Sequence, residues 1–207
     1  MVLDAGADAV IVVPPYYFPF RDEAVERYFS YLAREINGPM YLYNFPDRTG
    51  YSISPAVVRH LVEEHENIIG IKDTIGGLDH TRDIIQAVCF VRSDFEVYSG
   101  FDENFAHNAL SGGSGCIGGL SNIVPTLCAD WVRAVREQNW KLAADYQQKI
   151  NRLMGIYSLG VPFVPYVKEA CRQMGHIACA RSTFPMQLLD SGEQLRVSAF
   201  LKQEGVY

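Results

Sequence analysis

The sequence predicts a parallel α/β fold followed by an all-helical tail. Three observations carry that prediction. Short apolar or β-branched runs alternate with segments of helical spacing. The alternation recurs five times, with a repeat of about 20–30 residues that is typical of strand–helix units. After about residue 138 the strand-like runs stop while helical periodicity continues. The expected division is an α/β region over residues 1–138 and a helical region over 139–207.

Taken in order, residues 1–7 read as the last turns of a helix stopped by Gly6. Residues 9–13 form a β-branched run closed by Pro14 and Pro15, which cannot continue a helix, and 14–20 are an aromatic-rich loop. Residues 22–36 place Val25, Phe29, Leu32 and Ile36 on one stripe, and Asn37-Gly38-Pro39 ends that helix. A second strand over 40–45 leads into a polar turn over 46–50. Ser54 then caps a helix with Pro55 in its first turn and Val57, Val58, Leu61 and Val62 on its apolar face. The third strand is 68–72, the next helix 79–90, the fourth strand 95–98 and a short helix 104–110. A glycine-rich strand is expected over 115–119, and Pro125 opens the helix carrying Trp131 and Val135. In the tail, 141–157, 165–174 and 187–203 have helical spacing.

Composition narrows the function classes. Hydrophobic residues make up 48% and charged residues 20% of 207, enough apolar content for a packed core and too little charge for a disordered chain. A net charge of −6 argues against a nucleic-acid or anionic-membrane partner. No apolar run approaches the ~18 residues of a membrane span. The N-terminus lacks the basic stretch of a signal peptide, so a cytoplasmic protein is expected. The cysteines, Cys89, Cys116, Cys128, Cys171 and Cys179, form no C-x-x-C pair and suit small buried hydrophobes in a reducing compartment. His60, His65, His80, His107 and His176 are scattered, form no ligand motif, and are expected on surfaces or helices. No metal site and no cofactor are expected. Gly112-Gly113-Ser114-Gly115 precedes a strand rather than joining a strand to a helix, so it reads as a tight turn and not a phosphate cradle.

In parallel α/β folds the reacting groups sit at the C-terminal ends of the strands. Those ends here carry Tyr43, Lys72 with Asp73 and Thr74, Gly100 with Asp102 and Glu103, and Gly118. Burying an ammonium without a partner is costly, so a lysine ending an apolar run is unusual. A desolvated lysine loses its proton more readily, and the neutral amine attacks carbonyl carbon to give a Schiff base. The plainer alternative is a lysine whose head reaches water or pairs with Asp73. Tyr43 alone could be a packing aromatic, and Asp102 a helix cap. Together, a lysine, a tyrosine and a carboxylate pair on separate strand tips suit imine chemistry on a 2-oxo acid, with the tyrosine moving a proton.

Four motifs sharpen this: Tyr43-Asn44-Phe45-Pro46 with Thr49-Gly50, Gly70-Ile71-Lys72-Asp73-Thr74, Gly100-Phe101-Asp102-Glu103, and Gly112 through Gly118. With Gly6-Ala7-Asp8-Ala9 at the start, they resemble the dihydrodipicolinate synthase / N-acetylneuraminate lyase family along nearly the whole chain. The resemblance implies a TIM (β/α)8 barrel of the class I aldolase type, N-terminally incomplete with five of eight strands, and a C-terminal helical region. It implies imine formation by Lys72 and proton transfer by Tyr43. Thr74, Gly100, Asp102, Glu103 and Gly118 match positions that hold a hydroxylated substrate in the lyase branch. Arg48 is similar to the arginine that holds the aldehyde substrate's carboxylate in the synthase branch; its alternative is a solvated loop residue. Gly100 through Glu103 and Val161 through Lys168 look more like aldolases that cleave 2-keto-3-deoxy sugar acids to pyruvate and an aldehyde. The expected function is that cleavage or its reverse. The alternatives are a dihydrodipicolinate synthase, or a truncated, inactive fragment or interaction subunit, since the family's Gly-Thr-Thr carboxylate loop has no counterpart here. The expected partners are the small-molecule substrate and further copies of the chain, a tetramer being what the resemblance implies.

Overall fold

The computed structural model describes residues 3–207, which divide into two compact units: the chain through Ile117, and Gly118–Tyr207. Of the helix end expected over 1–7, residues 1 and 2 lie outside the described residues. Leu3–Ala5 is a 3-10 turn, closed by the Gly6 N–H on the Leu3 carbonyl at 2.9 Å.

The first unit alternates strand and helix as its sequence pattern predicts. In order, it contains β1 (Val10–Val12), α1 (Asp22–Glu35), β2 (Met40–Asn44), α2 (Pro46–Thr49), α3 (Pro55–Glu64), β3 (Ile68–Asp73), α4 (Asp79–Val88), β4 (Glu96–Ser99), α5 (Phe105–Leu110) and β5 (Gly115–Cys116). The strands form one parallel sheet in the order β1-β2-β3-β4-β5. Each strand therefore lies beside the next in sequence, as short strand–helix–strand crossovers dictate.

Burial alternates along the strands. Met40, Leu42, Ile71 and Val97 are buried in a core with Val25 and Phe29 of α1, Val57, Val58 and Leu61 of α3, and Ile84, Ile85 and Val88 of α4. Tyr41, Tyr43, Lys72, Glu96 and Tyr98 occupy the opposite face and are half-buried. A strand sends successive side chains to opposite faces, so one face of the sheet seats the helices and the other carries these tyrosines with Lys72 and Glu96.

Local chemistry accounts for the element ends. Ser54 accepts the Val57 N–H at 3.3 Å, and Pro55 occupies the first turn of α3. The segment expected as a polar turn over 46–50 is instead the single helical turn α2, started by Pro46 and ended by Gly50. The strand expected over 115–119 pairs only at Gly115 and Cys116, because glycines add no side chain to the pleated surface, and Leu120–Asn122 turn as 3-10. The glycines before it form a turn: Gly112, at φ +96, follows the end of α5, and Gly113 donates to the Asn108 carbonyl at 2.8 Å.

The second unit is helical, with α6 (Pro125–Arg136), α7 (Trp140–Leu153), α8 (Val164–Gln173) and α9 (Ser191–Gln203). Trp131, Ile150, Leu153, Ala170, Val197 and Leu201 are buried within it. Asp190 and Glu193 form a capping box at the start of α9. Helix α9 begins four residues later than the pattern over 187–203 suggested, at the residue its cap dictates. None of the cysteines is in a disulfide, and only Cys171 is buried; Cys89 and Cys179 are exposed, unlike the buried role expected for them. Among the described residues no helix is long and apolar enough to cross a membrane.

Candidate active site

Strand register places the two principal candidates side by side. Tyr43 pairs with Lys72 between β2 and β3, and Lys72 with Tyr98 between β3 and β4. Since paired positions on parallel strands point to the same face, the three side chains form one row. The Lys72 Nζ stands over the Tyr43 ring, 4.5 Å from its centroid. An ammonium there is attracted by the ring's π face, which holds the nitrogen beside the phenol.

This row forms the floor of a pocket of about 480 Å³, lined by Ala9, Val10, Ile11, Tyr41, Tyr43, Lys72, Tyr98 and Ile117. Its walls are mainly apolar with a few convergent polar atoms, the composition of a small-molecule site. Two residues earlier along the strands, Tyr41 pairs with Gly70 and Gly70 with Glu96. The Glu96 carboxylate accepts from the Tyr41 hydroxyl and, at 2.9 Å, from the Tyr98 hydroxyl. Burial, then the bond to Glu96 and its negative charge, pushes both phenols above their ordinary pKa. Tyr41, Glu96 and Tyr98 were not singled out from the sequence. The signal was their two-residue spacing, the same spacing that separates Gly70 from Lys72.

The remaining expected residues are placed as follows. Arg48, on α2, lies over the Phe45 ring at 5.6 Å from its centroid; Phe45 stacks on Tyr43 at 5.9 Å. An aromatic pair thus links Arg48 to the pocket floor, although Arg48 does not line it. Thr74 follows β3, and its backbone N–H donates to the Asn44 carbonyl at 2.8 Å. Gly100 follows β4 and packs against Thr74 so closely that a Cβ there would overlap the Thr74 hydroxyl. Asp102 is buried and opens the 3-10 turn Asp102–Asn104. Burial pushes the Glu103 carboxyl above its ordinary pKa; a hydrogen bond to its own backbone opposes this, and the Asp102 charge adds to the rise. Thr74, Gly100, Asp102 and Glu103 cluster at the tips of β3 and β4 and do not line the pocket walls. Gly118 starts the second unit, one residue beyond the pocket-lining Ile117.

Two details differ from expectation. Lys72 is half-buried and followed by one more strand residue, so it is not the last residue of β3. Asp73, the partner considered for it, points to the opposite face and is bound by His80 at 3.0 Å. His80, expected on a surface or a helix, lies in the first turn of α4 and is held against Asp73 with only 14% of its side chain exposed.

The arrangement resembles proteins whose chemistry has been named. A model of the dihydrodipicolinate synthetase family matches residues 2–204. The chain belongs to that family. It is 38% identical over 170 residues to the probable 2-dehydro-3-deoxy-D-pentonate aldolase YjhH of Escherichia coli, covering 82% of this chain and 56% of that protein. It is 34% identical over 199 residues to the putative 2-dehydro-3-deoxy-D-gluconate aldolase YagE of the same organism, covering 96% of this chain and 66% of that protein. The crystal structure of YagE in complex with pyruvate superposes with a TM-score of 0.93 at 33% identity, over 99% of this chain and 69% of that one. The chain thus spans between about half and two thirds of the length of these two family members.

Proposed function

We propose that this chain carries the imine-forming site of a class I, pyruvate-dependent aldolase acting on 2-keto-3-deoxy sugar acids. The observation that carries the reading is the Lys72 Nζ lying 4.5 Å over the Tyr43 ring in an apolar pocket. Strand order supports it, since in a (β/α)8 barrel strands follow one another around the ring in sequence order, and these five do so. The names of YjhH and YagE support the substrate class.

In the cleavage direction the neutral Lys72 amine attacks the C2 carbonyl carbon, and loss of water gives an iminium. Tyr43 takes the proton of the C4 hydroxyl as the C3–C4 bond breaks. The bond's electron pair moves toward the iminium nitrogen, leaving an enamine and a free aldehyde. Protonation of the enamine at C3 and hydrolysis of the imine release pyruvate and restore the amine. Thr74, Asp102 and Glu103, at the neighbouring strand tips, are assigned to the hydroxylated part of the substrate, together with Gly100 and Gly118. Under the synthase alternative, Arg48 is assigned to the carboxylate of the aldehyde substrate.

A second reading is an interaction subunit without activity of its own. The 47% exposure of Ile11 and 43% exposure of Ile117, on the pocket rim, favours it. One experiment separates the two. Incubation with pyruvate and borohydride should leave a stable mass increase on Lys72, absent in Lys72→Ala. A folded sample with no adduct would leave the second reading. Where the adduct forms, turnover of 2-keto-3-deoxy sugar acids should exceed turnover of pyruvate plus aspartate semialdehyde; the reverse would point to a synthase.

A further inference from the structure

On the face of the sheet away from the pocket, the neighbours of Tyr43 and Lys72 form a second cluster. Asn44 and Asp73 are 0% and 1% exposed and lie against the helices. A carboxylate so buried requires donors on its oxygens. Asn44 Nδ2 donates to Asp73 Oδ1 at 2.7 Å, and the Thr81 hydroxyl donates to Oδ2 at 2.6 Å. His80 Nδ1 lies 3.0 Å from Oδ2 and 3.2 Å from Oδ1. The other ring nitrogen, Nε2, lies 3.1 Å from the Ile53 carbonyl oxygen. Ile53 is itself tied to β2, its N–H donating to Asn44 Oδ1 at 2.9 Å.

A neutral imidazole carries one N–H, and neither a carboxylate nor a carbonyl can donate to its other nitrogen. Both contacts are hydrogen bonds only when the ring is an imidazolium. Burial opposes that charge. The hydrogen bond to Asp73 and its negative charge, the Ile53 carbonyl, and Asp79 beside the ring outweigh burial and raise the His80 pKa above its ordinary value. These are the groups facing the ring: Asp73 from β3, Asp79 from α4, and only a backbone carbonyl from the connection before α3.

We propose that His80 is a positioning residue for the imine chemistry, clamping the tip of β3 to the β2–α3 connection so that Lys72 stays over Tyr43. The proposal rests on the reading of Lys72 given above. Losing the second ring proton breaks one of the two bonds, and the strand tip carrying Lys72 loses a tether. Imine formation then falls as pH rises through the His80 pKa.

The test uses the full chain. The His80 ring pKa is measured by NMR without pyruvate, and the rate of pyruvate adduct formation is followed by cyanoborohydride trapping across the same pH range. The rate should fall roughly tenfold or more through the pH at which His80 titrates, the effect of losing a hydrogen bond to a charged group. Asp73→Asn should move the ring pKa and the falling limb down together. His80→Gln should remove the limb and lower the rate on its acid side. A limb that stays in place when Asp73→Asn moves the ring pKa would overturn the proposal, as would a His80→Gln profile identical to the parent. Should neither variant fold, a parent limb more than about one pH unit from the ring pKa overturns it equally. Absence of any adduct on the parent overturns the imine reading and this proposal with it, whereas an adduct with an unmoved profile overturns this proposal alone.

Discussion

Tyr43 and Lys72 illustrate how one residue's role depends on its neighbours in the sheet. Each is followed by a buried polar residue, Asn44 and Asp73, and strand alternation turns the two pairs to opposite faces. The pocket face thus receives Tyr43 and Lys72, and the helix face receives Asn44 and Asp73. Thr74 continues the pattern beyond the strand. Its hydroxyl is buried with no hydrogen-bond partner among the described residues, a state that costs about 1–3 kcal/mol in proteins. Under the proposed assignment of Thr74 to the hydroxylated part of the substrate, a substrate hydroxyl would supply the missing bond. Thr74→Val should therefore leave the melting temperature unchanged or raise it, while raising KM for a hydroxylated 2-oxo acid roughly fivefold. A lower melting temperature at unchanged KM would assign the hydroxyl to the fold instead. The lysine and the tyrosine were legible in the sequence because each ends an apolar run. His80 was not, because nothing near it in sequence marks the buried carboxylate it meets.

Among the elements, β3 ties the unit together. It pairs with β2 on one side and β4 on the other, and its Ile68 and Ile71 are fully buried against the helices. Ile71→Ala should lower the unfolding free energy by about 2–5 kcal/mol, the usual cost of emptying a packed isoleucine site. Urea unfolding followed by circular dichroism would measure it, and a loss well under 1 kcal/mol would show that the site collapses around the gap. The five strands and their intervening helices were legible because periodicity and capping residues such as Ser54, Pro55 and Pro125 are local signals. Two elements were read less well. The turn expected after β2 is the helical turn α2, where a proline at the first position and a glycine at the end act together. The glycine-rich run at β5 pairs over two residues only, because pairing there depends on what β4 offers and not on the run itself.

At the scale of the whole molecule, the His80–Asp73 pair predicts a pH dependence of stability. The folded-state pKa of His80 lies above its unfolded value, so the folded state binds the proton more tightly. The stabilisation is fully present below the ordinary histidine value of about 6.5 and is lost as pH rises through the higher folded value. The melting temperature should fall over that interval in the parent chain and stay level there in His80→Gln. A parallel fall in both would place the effect elsewhere. By itself, the sequence determined the family, the strand–helix alternation, and the lysine and tyrosine at the strand tips, because these are written in runs, spacings and motifs a few residues long. Only the tertiary structure decided which side chains share a face and which meet. Asn44 and Asp73 are 29 residues apart and Tyr41 and Glu96 are 55 apart, and each pair is joined by strand register, which no local pattern encodes. The same register placed Tyr98 beside Lys72 and sent Asp73 away from Lys72 to His80, for the physical reason that a strand's two faces exchange with every residue.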